Sequence, residues 1–189
     1  MMRELSLHVL DLAQNAVEAG ATALEVRISE DRGTDTLTIT VTDNGRGMSA
    51  ELAACATDAF TTTRTTRRVG LGLPFLAAAA EACGGGVTVE SSPGAGTTIR
   101  AKFQLSHIDR APLGDMAGTI AVILAANPGL RLTYVQSRDA LVLRSEFDGC
   151  LTPAEALAVR ERLAGWPAEQ PGGVGDEDAC GTEGAQGAC

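Results

Sequence analysis

The sequence predicts an α/β fold with helices laid over a sheet, and three observations carry that reading. Residues 3–19 repeat apolar positions at helical spacing. Residues 24–28, 37–41 and 97–105 alternate apolar and polar side chains as half-buried strands do. Residues 74–83 form an almost unbroken apolar run, stopped by Gly84, Gly85 and Gly86.

The first helix sets Leu5, Val9, Leu12, Ala13 and Ala16 on a core face. His8, Asp11, Asn15 and Glu18 fall on the opposite stripe, at spacings of three and four. Asp and Asn compete for the backbone in mid-helix, so two of them sharing a stripe mark either a solvated face or chemistry. Asn offers a neutral oxygen to a hard cation such as magnesium. An acid one turn away can orient or deprotonate a nucleophile. Gly20 is a suitable stop.

Residues 24–28 and 37–41, joined by a turn over 31–35, predict an antiparallel hairpin. Its second strand delivers Asp43 to the bend Asp43-Asn-Gly-Arg-Gly-Met48. A carboxylate at a strand end can accept a hydrogen bond from an exocyclic amine, and Gly45 and Gly47 let the backbone approach a flat base. Asp-Asn-Gly is also a common turn sequence. Ser49 can cap a short helix over 50–56.

Residues 60–68 lack apolar periodicity and are rich in hydroxyls, which predicts a mobile loop. Such a loop can serve as a lid over phosphates, with Arg64, Arg67 and Arg68 available to neutralise them. Arg64 is the first choice because it follows the threonines. Gly70-Leu71-Gly72 opens the apolar helix, Pro74 suits its first turn, and exposed amides at a helix start bind phosphate. This helix is expected to be buried, with Cys83 a small core residue. A strand over 87–89 and a tight turn over 91–96 lead into the long strand 97–105.

A boundary falls near Pro112. Beyond it, residues 115–126 predict a helix, 130–135 and 140–147 two strands joined over 137–139, and 152–163 a helix opened by a capping box with Pro153. Residues 112–165 carry no motif tied to chemistry. They read as either a small partner-binding module or an extension of the sheet. Residues 167–189 are rich in Gly, Ala and acids and hold no Lys or Arg, so a disordered acidic tail is expected.

Together, an acid-xxx-Asn helix (Asp11, Asn15), a DxGxG turn (Asp43, Gly45, Gly47), a GxG entry into a helix (Gly70, Gly72) and a Gly-Thr pair (Gly96, Thr97) resemble the GHKL ATP-binding superfamily. That family holds DNA gyrase B subunits, the heat-shock chaperone ATPase domain, sensor histidine kinases, anti-sigma factor kinases and MutL. Residues 10–22, LDLAQNAVEAGAT, are especially similar to the corresponding MutL stretch.

The resemblance covers residues 1–108. It implies a two-layer sandwich with a mixed, largely antiparallel sheet and helices on one face, the Bergerat-type fold. It implies ATP and Mg2+ as cofactors. Asp43 would read adenine, and Thr97, or else Thr98, would bond near it. Asn15 would hold the metal. Gly45, Gly47, Met48, Gly70, Leu71 and Gly72 would line the pocket, and Arg64 would reach it from the lid. Asp11 stands where ATP-hydrolysing and serine-phosphorylating members carry Glu. The shorter acid sets its oxygens about one methylene further back, which predicts slow turnover or dependence on lid closure. His8 is not expected to be a phosphoacceptor, because in histidine kinases that residue sits on a separate helical dimerisation domain.

Two function classes follow. One is an enzyme of bacterial signalling, either an ATPase or a kinase acting on an unidentified protein partner. The other is an ATP-gated regulatory binder with little turnover. Both leave room for a homodimer. The net charge of −9 argues against nucleic acid as a partner. No apolar run is long enough to span a bilayer, so no membrane role is expected. Five cysteines without a CxxC spacing indicate neither a disulfide framework nor a zinc site, and a cytoplasmic location is the simplest expectation.

Overall fold

The alternating segments pair as their pattern demands. In the computed structural model, which describes residues 3–57, 72–148 and 153–164, β1 (Ala23–Asp31) and β2 (Thr36–Asp43) form an antiparallel hairpin from Leu24 opposite Asp43 to Asp31 opposite Thr36. β3 (Gly86–Ser92) and β4 (Gly96–Gln104) form a second hairpin, and β4 adds antiparallel to β2. β5 (Arg131–Arg138) and β6 (Leu141–Asp148) complete a six-stranded sheet in the order β3-β4-β2-β1-β5-β6. Only the β1–β5 pairing is parallel, so the sheet is mixed and largely antiparallel.

Every second residue of β1 and β2 is buried: Leu24, Val26 and Ile28, then Leu37, Ile39 and Val41. The intervening Thr, Arg and Ser residues are at least partly exposed. One covered face and one open face make this a two-layer sandwich. The covering layer holds α1 (Leu5–Glu18), α3 (Gly72–Ala82), α4 (Met116–Ala126) and α5 (Pro153–Ala164), while α2 (Ala50–Cys55) is a short helix capped by Ser49. α1 contributes Leu5, Val9, Leu12, Ala13 and Ala16 to one core with Leu76, Ala80, Ile120, Ile123 and Leu124.

Two features differ from the sequence-based expectation. α3 is not buried on all sides: Phe75 is 51% exposed, while Leu73, Leu76, Ala77 and Ala80 carry the packing. Methyl-sized alanines hide a helix's amphipathicity, since either face accepts them. β5 runs on to Arg138, so the turn into β6 shrinks to Asp139 and Ala140. Of the two readings left open for the second half, β5 lies beside β1 and residues 131–148 extend the sheet. The expected lid over 60–68 with Arg64, the Gly70-Leu71 pair and the acidic tail lie outside the described residues.

The extra length of β5 has a physical cause. Arg138 pairs with Glu30 on β1 through two hydrogen bonds, at 2.6 and 3.1 Å, and both side chains are buried on the helix side of the sheet. Tyr134 donates to Gln136 at 2.8 Å on the same face. Truncating one member of a buried pair leaves the other charge uncompensated. Glu30→Ala should therefore lower the unfolding free energy by about 3–5 kcal/mol in urea denaturation, and adding Arg138→Met should recover much of that loss.

Candidate functional site

The site forms where β2 ends beside α1. Asp43 is the last residue of β2 and sits in register with Thr97 on β4. The chain then turns back on α1 and is tied down atom by atom. Asn44 accepts from the backbone amides of Thr22 and Ala23 through Oδ1, both at 2.9 Å, and donates to the Thr22 hydroxyl. The Gly45 amide donates to Asp43 Oδ1 at 2.7 Å. Arg46 donates its amide to the Ala19 carbonyl and its guanidinium to the Glu18 carbonyl, each at 3.0 Å. It thereby satisfies orphan carbonyls at the end of α1.

The β3–β4 hairpin closes the other side. The Met48 amide donates to Ser91 Oγ at 2.8 Å, and Ser91 Oγ donates to the Gly96 carbonyl at 2.9 Å. Ser91 and Thr97 hydroxyls lie 2.9 Å apart. A serine hydroxyl has one proton, already directed at Gly96, so Thr97 must be the donor in that pair. The Thr97 oxygen keeps acceptor capacity for a ligand. Gly47 has a φ of +65°, and a Cβ there would stand 2.0 Å from the Ser92 carbonyl oxygen. No other residue fits that crossing.

Asp43 carries the main electrostatic cost. Burial raises its pKa, and hydrogen bonds from the Gly45 and Thr97 backbones only partly offset this. A half-buried carboxylate beside the Cβ-free Gly45 is a directed acceptor.

The polar stripe of α1 changes character along its length. His8 is 3% exposed, Asp11 and Asn15 are partly exposed, and Glu18 is exposed. The stripe is thus not a uniformly solvated face, because the start of α3 covers its first turn. A Cβ on Gly72 would stand 2.8 Å from Asp11 Oδ2, and one on Gly45 would stand 3.0 Å from Ala19 Cβ. Two glycine corners therefore rest on one helix eight residues apart, roughly 12 Å along its axis. Asn15 lies between them.

Of the residues singled out above, Asp43, Gly45, Gly47, Met48 and Thr97 form one cluster, and Asp11 and Gly72 form a second. Asn15 bridges them along α1. Arg64, Gly70 and Leu71 lie outside the described residues. Sequence reasoning missed Asn44, Arg46 and Ser91. Only the Ser91-Ser-Pro-Gly turn hinted at the last of these, and the carbonyls held by Arg46 are adjacent only in space.

The donor set fits magnesium. Asn15 presents a neutral amide oxygen, and its side chain makes no hydrogen bond among the described residues. Asp11 is one turn away. Magnesium is commonly held by one or two protein oxygens together with substrate phosphates and waters, which asks no more of the protein than this.

A family model described as "Histidine kinase-, DNA gyrase B-, and HSP90-like ATPase" matches residues 3–107. The heme sensor protein HssS of Staphylococcus saprophyticus is 35% identical over 95 residues, covering 50% of this chain and 21% of its own length. The chain thus spans about a fifth of that curated relative. A solved N-terminal domain of a DNA repair protein superposes with a TM-score of 0.51 at 14% identity, over 79% of this chain and 53% of that one, which shows a shared fold. The Aquifex aeolicus MutL ATPase domain complexed with ADP gives a TM-score of 0.47 at 15% identity, over 86% of this chain and 70% of that one.

The raised pKa of Asp43 has a testable sign. Its native carboxyl holds a proton to higher pH than the unfolded one does. Its stabilising share is present below the unfolded pKa and is lost as pH rises through the native value. In thermal melts without nucleotide, wild type should lose stability relative to Asp43→Asn across that rise. A constant difference would show that burial does not strain the carboxylate.

Proposed function

The chain belongs to the family of histidine kinase-, DNA gyrase B- and HSP90-like ATPases, and on that basis we propose that it is a cytoplasmic Mg-ATP-binding protein of bacterial signalling that hydrolyses ATP or phosphorylates a protein partner. The observation that carries this reading is the seating of Gly45 and Gly72 on one face of α1, with Asp43 at one corner and Asp11 at the other. Among the described residues no helix is long and apolar enough to cross a membrane.

In this reading Asp43 accepts the adenine amino group, and Gly45 leaves its face open to the base. The Thr97 hydroxyl, fixed by Ser91, offers its remaining lone pair at the same end. The triphosphate runs along α1 towards Gly72, where the amides opening α3 face it. Asn15 would hold magnesium, which when bound neutralises phosphate charge. Asp11 accepts the proton of the attacking water or partner hydroxyl. Arg64 would close on the phosphates from the lid. The partner is a protein, either unidentified or a second copy of this chain.

The ATP-gated alternative draws on one observation, the Asp at position 11 in place of a longer acid. Turnover without a partner favours catalysis, and tight binding without turnover favours gating.

Titration with a fluorescent ATP analogue and magnesium tests the site. Asp43→Asn and Asn15→Ala should each weaken binding at least roughly tenfold, the scale of a lost charge-assisted hydrogen bond. Asp11→Asn should leave binding intact and cut turnover by about 100-fold or more. Unchanged affinity in Asp43→Asn would refute the adenine assignment, and unchanged turnover in Asp11→Asn would remove Asp11 from catalysis.

A further inference from the structure

The sheet ends on one side at β6, and that edge is open. β5 divides its backbone groups between its two neighbours. The amides of Arg131 and Asp139 donate to carbonyls on the β1 side, those of Thr22 and Glu30, at 3.0 and 2.9 Å. The odd-numbered residues of β5 therefore face β1, and the even-numbered ones face β6. There Leu132, Tyr134, Gln136 and Arg138 stand opposite Phe147, Ser145, Leu143 and Leu141. By the same alternation Val142, Arg144, Glu146 and Asp148 turn their amides and carbonyls away from β5. Among the described residues no strand lies beyond β6, and no backbone hydrogen bond from a turn or loop reaches these four. An open edge of this kind is a template for another strand.

The side chains along β6 say which strand fits. Arg144 and Glu146 form a 2.7 Å ion pair on the open face of the sheet, and both side chains are more than half exposed. On the helix face Leu143 and Phe147 pack with the core on either side of Ser145. This order is complementary to itself. When two copies of β6 run antiparallel about a two-fold axis, their outward groups meet only if the axis falls on a residue rather than between two. The longest such overlaps are centred on Arg144 or on Ser145. The first sets Arg144 against the partner's Arg144. The second sets Arg144 opposite the partner's Glu146 and Glu146 opposite the partner's Arg144, with Leu143 facing the partner's Phe147 on the other side of the sheet. Opposite charges and apolar pairs directly across a ladder stabilise it. The far edge, β3, carries a single charged residue, Glu90, and offers no such match.

We propose that β6 is an interaction edge whose partner is a second copy of this chain, paired antiparallel about Ser145 so that two six-stranded sheets join into one. The inference goes beyond the nucleotide reading and does not rest on it. A ladder of seven residues a side is a small interface, so the association is reversible and set by concentration. Sedimentation of the full chain without nucleotide, from about 1 μM to about 1 mM, reads it directly. Wild type should move towards twice the monomer mass as concentration rises. Arg144→Glu sets acid against acid at both matched positions, and Glu146→Arg sets base against base. Each variant alone should therefore associate at least roughly tenfold more weakly. Mixed in equal amounts, the two should recover wild-type association, because each then meets its opposite. Melting curves report whether each variant folds. Should one of them not fold, the double variant Arg144→Glu/Glu146→Arg serves instead, and it should associate with itself but not with wild type.

Wild type that stays monomeric at the highest concentration overturns the inference. Single variants that associate as well as wild type do so too, since the contact would then lie on another surface. A mixture that does not recover, or a double variant that joins wild type freely, rules out the pairing about Ser145. None of these outcomes bears on the nucleotide reading, which the ATP titration tests separately.

Discussion

Close contact between α1 and two glycines, Gly45 in the turn after β2 and Gly72 at the start of α3, is the constraint on which this structure's candidate site depends. Gly45 rests on Ala19 and Gly72 on Asp11, and at neither place would a Cβ fit without displacement. The sheet sets up the first contact by ending β2 at Asp43, opposite Thr97. α3 sets up the second by starting where it does. A side chain at either glycine would meet Ala19 or Asp11, so the close approach at both places depends on the missing Cβ.

The parts of the fold that were legible in the sequence are those whose signal is local. β1 and β2 alternate with period two and flank a short polar turn, so their hairpin follows. The Asp43-Asn-Gly-Arg-Gly turn and the acid-xxx-Asn spacing on α1 likewise announce their positions. What stayed hidden depends on distant chain. Nothing within residues 130–135 says that they will lie parallel to β1, because that choice is made by the α4 crossover and by Arg138 meeting Glu30. His8 reads as part of a polar face, yet the folded chain leaves it 3% exposed. Ser91 and Asn44 look like turn residues. Their real work is to bond backbone groups that the sequence does not place nearby.

The balance of charge in the site follows the same logic. A burial-raised carboxylate at Asp43 and a neutral, buried His8 both depart from their ordinary protonation behaviour because the fold denies them water. Asp43 has backbone donors to soften that cost, whereas His8 leaves one nitrogen unanswered. Groups held against their solvation preference in this way tend to cluster at functional sites.

The parallel pairing of β1 with β5 has a consequence for how the chain comes to be folded. During synthesis β1 can zip to β2 almost at once, but its other flank stays uncovered until the segment ending at Arg138 has left the ribosome. For that interval a strand apolar on one face presents free amides and carbonyls, which is a template for pairing with another nascent chain. Contacts closed across so long a loop also slow the final step of assembly. The last strands to emerge therefore act as a guard on the first.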